Sequence, residues 1–91
     1  MKFTEAIEQI KDTGGIIGMK GTTICFAVPS VKDPMIMLDE NLVPLKNPDY
    51  KPNSLRSKWF LWDPCPEYIL NENWEIKEVF SPARKEYFSN Y

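Results

Sequence analysis

All three tryptophans of this chain fall in one stretch, Trp59-Phe60-Leu61-Trp62-Asp63-Pro64-Cys65-Pro66-Glu67-Tyr68-Ile69-Leu70-Asn71-Glu72-Asn73-Trp74. Tryptophan has a large apolar surface to bury and offers a broad flat face to a ligand. The core and any binding surface are therefore both expected to draw on this segment. In an extended strand, Trp59 and Leu61 lie on one face, and Phe60 and Trp62 on the other. One set can fill the core of a single-layer sheet; the other needs a helix, a second subunit or a ligand over it.

At 91 residues the chain makes one domain, since a second core would leave too little buried surface for either half. A domain this small gains from association, which predicts a homo-oligomer. The net charge of −2 argues against binding duplex nucleic acid, where phosphate contacts supply most of the affinity. The local balance is more telling. Residues 46–58 hold Lys46, Lys51, Arg56 and Lys58 against Asp49, whereas residues 63–78 hold Asp63, Glu67, Glu72, Glu75 and Glu78 against Lys77. A basic run leading into tryptophans can meet a small anion, and the acidic stretch repels an extended polyanion.

The chain has no histidine, which removes the commonest general base and metal ligand. Cys25 and Cys65 lack CxxC spacing and cannot hold zinc alone. No cofactor is called for. The amphipathic start, Met1-Lys2-Phe3-Thr4-Glu5-Ala6, is not a secretory signal, and no apolar run reaches membrane-span length. The expectation is a soluble protein of a reducing cytoplasm with both thiols free.

Phe3, Ala6, Ile7 and Ile10 repeat at helical spacing and predict a helix over 4–12, capped by Thr4 and stopped at Gly14-Gly15. Ile16-Ile17 opens a short strand, and Gly18-Met19-Lys20-Gly21 reads as a turn. Residues 22–28 predict a strand covered on both sides, with Ile24, Phe26 and Val28 on one face and Thr23, Cys25 and Ala27 on the other. Residues 35–38 form a further apolar run. The proline-rich loop from Leu42 to Leu55 is long for so small a domain, which marks it as functional or interfacial. A strand over 56–62, a short helix from Pro66 through Leu70 and a last strand over 74–79 follow. The fold class is α+β: a small, mostly antiparallel sheet, an N-terminal helix, and a short C-terminal helix before the last strand. Residues 1–80 are read as the domain, and 81–91 as a polar tail carrying Tyr87, Phe88 and Tyr91, frayed or docked on a neighbouring subunit.

Candidate ligand residues follow from charge and rings. Arg56 and Lys58, two apart on one face, can clamp phosphates, while Trp59, Phe60, Trp62 and Tyr50 can stack the attached bases. The same residues also suit plain core, oligomer contact and solvated surface. Gly14-Gly15 and Gly18-x-x-Gly21 match neither the P-loop nor the dinucleotide fingerprint, which leaves Lys20, Thr22 and Thr23 as weaker candidates. Nothing in the sequence asks for catalysis.

Two blocks resemble a known family. Phe3-x-Glu5-Ala6-Ile7-x-x-Ile10-Lys11 and Trp62-x-Pro64-x-x-x-x-x-Leu70-x-Glu72-x-Trp74-Glu75-Ile76 are similar to the opening Phe-x-Glu-Ala-Leu helix and closing Trp-x-x-Ser-x-x-Asp-x-Leu-Ala-x-Asp-Trp segment of the phage Thoeris anti-defence 2 family. The resemblance implies an α+β protomer, a homotetramer with ligand pockets where protomers meet, and a sponge for nucleotide immune signals. Such sponges sequester cyclic ADP-ribose isomers or, in related anti-CBASS proteins, cyclic di- and trinucleotides, without cleaving them. Cys65, Tyr68, Asn71 and Asn73 stand where the family has Ser, Asp, Ala and Asp, and Gly18-Met19-Lys20-Gly21 replaces its basic residue and Trp after the first helix. Loss of acids beside retained cations favours a more anionic ligand. The expectation is a cyclic oligonucleotide ahead of a cyclic ADP-ribose isomer; the alternative is a structural or interaction protein whose aromatics pack an oligomer.

Overall fold

A computed structural model describes residues 1–52 and 58–89. The first helix, α1 (Phe3–Gln9), begins one residue ahead of the expected start: the Glu5 carboxylate, rather than a Thr4 cap, accepts the Lys2 backbone N–H at 3.0 Å. The helix ends at Gln9 with Ile10 as its C-cap, short of the expected end at Asp12, and a turn carries the chain on to Gly14. Gly14 donates its N–H to the Ile10 carbonyl at 2.7 Å, and its φ of +75° is the left-handed value that glycine adopts without strain.

Five strands follow: β1 (Gly15–Met19), β2 (Cys25–Val28), β3 (Met35–Met37), β4 (Leu61–Trp62) and β5 (Trp74–Val79). They form one sheet in the order β4-β3-β2-β1-β5, and every neighbouring pair is antiparallel. The expected α+β class therefore holds, with α2 (Pro66–Leu70) running into β5 and Pro66 in its first turn. Two local readings change. Gly18 and Met19 belong to β1 and not to the turn, because they pair with Glu75 and Trp74 of β5; the Lys77 side chain lies across Gly18, where a Cβ would sit 2.5 Å from Lys77 Cε. Thr22 and Thr23 belong to the turn and not to the strand, because the Thr22 hydroxyl donates to the Met19 carbonyl at 2.9 Å and accepts the Ile24 N–H at 3.1 Å.

Strand alternation splits the core in two. On one side of the sheet, Ala6 of α1 and Ile10 just after it pack on Ile17, Met19, Phe26, Val28, Trp62 and Trp74. On the other, Phe88 and Phe80 pack on Ile16, Cys25, Ala27, Ile36, Leu38 and Trp59. The cover for this second face comes from the segment set apart as a tail. It is a helix, α3 (Pro82–Ser89), and its Phe88 is fully buried on the chain's own sheet. Pro82 has the first helical position, the Ser81 hydroxyl accepts the Arg84 N–H at 3.3 Å, and the Phe80 and Phe88 rings stack at 5.0 Å. Arg84 ties α3 to β5 through Glu78 at 3.1 Å.

Between β3 and β4 the proline-rich segment leaves the sheet as a two-stranded ribbon. Lys46 bridges Trp59, the Phe60 N–H donates to the Leu45 carbonyl at 2.8 Å, and the Asn47 N–H to the Lys58 carbonyl at 2.9 Å. The ribbon starts at a tight turn in which Asp39 Oδ1 accepts the Asn41 and Val43 N–H groups at 2.8 and 3.0 Å, with Leu42 at φ +63°. A non-glycine residue there costs about 1 kcal/mol or more, which the two Asp39 bonds offset. The strand expected over 56–62 is thus shared between this ribbon and β4, and its first residues lie outside the described residues.

Candidate functional site

The ribbon shapes a pocket of about 270 Å³ lined by Lys46, Asn47, Tyr50, Lys58 and Trp59. The cross-strand register sets it up: Lys46 stands opposite Trp59, and Asn47 stands opposite Lys58 and is hydrogen-bonded to it. Beyond Asn47 the chain turns back, with the Asp49 N–H donating to Asn47 Oδ1 at 3.0 Å and the Tyr50 N–H to the Asn47 carbonyl at 3.1 Å. That turn carries the Tyr50 ring to the mouth of the pocket. Lys58 Nζ lies 4.8 Å from the Trp59 ring centroid, a cation–π distance that keeps the ammonium over the indole. Among the described residues the lining holds two cations and no carboxylate, so its field favours an anion.

Of the nine residues named as ligand candidates, Tyr50, Lys58 and Trp59 come together here, and Thr23 lies in the turn after β1. Arg56 lies outside the described residues. Trp62 is on the opposite side of the sheet, stacked on Phe26 at 3.4 Å between centroids and flanked by Tyr68 and Trp74, so it fills the core and does not face this pocket. Phe60 is 44% exposed but is absent from the pocket wall. Lys20 and Thr22 sit in the turn after β1, and β2 and β3 separate that strand from β4. The Lys20 N–H is spent on the Asn73 carbonyl at 2.7 Å, and the Thr22 hydroxyl on its own turn.

Two lining residues, Lys46 and Asn47, were not among the candidate ligand residues, although Lys46 stood in the basic run expected to meet a small anion, and Tyr87 is a further neighbour of Trp59. Lys46 and Asn47 enter through ribbon register, for which the prolines on either side were the available hint. Tyr87 enters from α3, its ring 6.0 Å from Trp59 and tilted by 44°. The signal for it was the Ser81-Pro82 start of a helix, which places Phe88 inward and Tyr87 beside it.

The thiols behave as their surroundings dictate. Cys25 is buried in β2 and donates to the Asp39 carbonyl at 3.5 Å; burial pushes its thiol pKa up, against a smaller opposite pull from Lys77. Cys65 is exposed. Among the described residues, no group of three or more Cys, Asp or Glu side chains gathers where it could hold a metal ion, and no helix is long and apolar enough to cross a membrane. No protein-family model, curated protein or solved structure matches this chain.

Proposed function

We propose that this protein is a non-enzymatic, homo-oligomeric phage sponge that sequesters cyclic nucleotide immune signals in the host cytoplasm, cyclic di- or trinucleotides ahead of cyclic ADP-ribose isomers. The observation that carries the reading is that Lys46 and Lys58 line one pocket with Tyr50 and Trp59, with no carboxylate among its described lining residues. Two ammonium groups suit a phosphodiester, and a ring beside them suits its base, with stacking worth about 1 to 3 kcal/mol per base. At about 270 Å³ the pocket falls just under the ~300–1,000 Å³ typical of small-molecule sites. It suits one nucleotide unit, and the rest of a cyclic ligand is proposed to meet a second protomer.

One observation favours the alternative of a structural protein whose aromatics only pack. Trp59 and Trp62 are both covered by the chain's own elements, at 8% exposure each, so packing alone accounts for much of their surface.

One experiment separates the readings. The purified protein is incubated with cyclic dinucleotides, cyclic trinucleotides and cyclic ADP-ribose isomers, then heat-denatured, and the supernatant analysed. A sponge depletes the ligand and returns it intact; an enzyme returns product; a packing protein never depletes it. A ligand held by the native state must also raise the melting temperature, so a panel without any shift at large excess ends the sponge reading.

A further inference from the structure

The α1 side of the sheet carries a protruding side chain and a recess of matching character. Helix α2 buries none of its own residues, and Leu70 at its end is 77% exposed, the most of any large apolar residue described, with Ile69 beside it. Across Phe3 from this knob lies a cleft of about 250 Å³ walled by Phe3, Ile7, Val31, Met35 and Trp62. Phe3 lines this cleft and also the groove that holds Ile69 and Leu70, so knob and cleft share one surface. The rims are charged. Lys2 and Glu72 flank the knob, and Asp33 lies on the cleft wall with Lys32 next to it in sequence. None of these four charges has an ion-pair partner among the described residues.

We infer that this surface is a two-fold contact between copies of this chain, in which Leu70 of each copy enters the other's Phe3–Trp62 cleft. A two-fold contact is self-complementary, so every pairing occurs twice. Each rim carries one cation and one carboxylate, so the contact can set opposite charges against each other twice over, Lys2 with the partner's Asp33 and Glu72 with the partner's Lys32. A branched aliphatic side chain fits a cleft of this volume and removes its apolar walls from water. This names the contact for the oligomer proposed above and rests on that part of the reading, but not on the nucleotide.

The test is sedimentation velocity over a wide concentration series on the whole chain and three variants. Leu70 is too exposed to matter for folding, so Leu70→Glu should keep the native circular dichroism spectrum. It should halve the assembled mass, with a dissociation constant raised at least about 30-fold, the effect of losing a central interface anchor. Asp33→Lys should weaken association, and adding Lys2→Glu to it should restore association. An assembled Leu70→Glu protein of unchanged mass overturns the inference, as does a double variant no tighter than Asp33→Lys. A monomeric wild type overturns this contact and the oligomeric reading together. A chain that assembles through Leu70 yet depletes no nucleotide supports the contact and overturns only the sponge.

Discussion

Trp59 and Trp62 share one short stretch of chain and the same 8% exposure, yet they belong to opposite sides of the sheet and to different neighbourhoods. Trp62 is ringed by Phe26, Tyr68 and Trp74, with apolar cleft walls beyond. Trp59 has Lys58 over its ring, Tyr87 against it, and Lys46 and Tyr50 at its edge. Exposure alone cannot tell a packing tryptophan from a binding one; the charge and shape around the ring do. A ring among rings contributes to stability, whereas a ring beside ammonium groups gives an anionic, planar ligand somewhere to rest.

The comparison is broken most sharply by truncation. Trp62→Ala should cost about 3 to 5 kcal/mol, a large fraction of what a domain this size has, and a denaturant melt reads it. Stability unchanged by that substitution would mean that Trp62 is not the core residue described. Next is the candidate pocket. Lys58→Glu should lower affinity for a cyclic dinucleotide about tenfold or more while stability stays within about 0.5 kcal/mol, and Lys58→Ala should reduce the salt dependence of binding by about one ion. Calorimetry on both, with Trp62→Phe as the control that should leave affinity unchanged, places the ligand on one side of the sheet or the other.

The smallest effect concerns the thiols. Cys65 should react with an aromatic disulfide reagent in the native protein, and Cys25 only after unfolding. Because burial holds the Cys25 thiol above its ordinary 9.0, the native state binds that proton more tightly than the unfolded chain. Its contribution is whole below about pH 9 and is lost as pH rises beyond, so alkaline melts should decline less steeply for Cys25→Ala.

Much of the fold could be read from local chemistry. The α1 stripe, the two-faced alternation of Cys25–Val28, the Pro66 helix start and the whole of β5 depend on neighbours in sequence, and they stand where expected. What escaped depends on partners distant in the chain. Gly18 and Met19 looked like a turn because nothing nearby announces that Glu75 and Trp74 will pair with them. Residues 82–89 looked like a tail because their composition is polar, although Phe80, Arg84 and Phe88 keep helical spacing and Ser81-Pro82 is a start signal as plain as Cys65-Pro66. For the site, Tyr50, Lys58 and Trp59 were legible as rings and charges close in sequence. Lys46 stood in the basic run, but its place in the pocket, like that of Asn47, was not legible, since only ribbon register sets them opposite Trp59 and Lys58.

One detail of β5 reaches beyond these sites. Between the Ile17–Ile76 and Ile16–Glu78 pairs the strand carries an extra residue, Lys77, which breaks the ladder at the middle of a sheet edge. The Met1 backbone closes the same edge at Trp74 with a reciprocal pair of hydrogen bonds, each 2.9 Å. A kink, a lysine and a covered end are the devices that stop an edge from recruiting another strand and growing into a fibre. Under the proposed reading, one-to-one capture requires the protein in numbers comparable to its target, so resistance to aggregation at high concentration would set the ceiling on how much signal it absorbs.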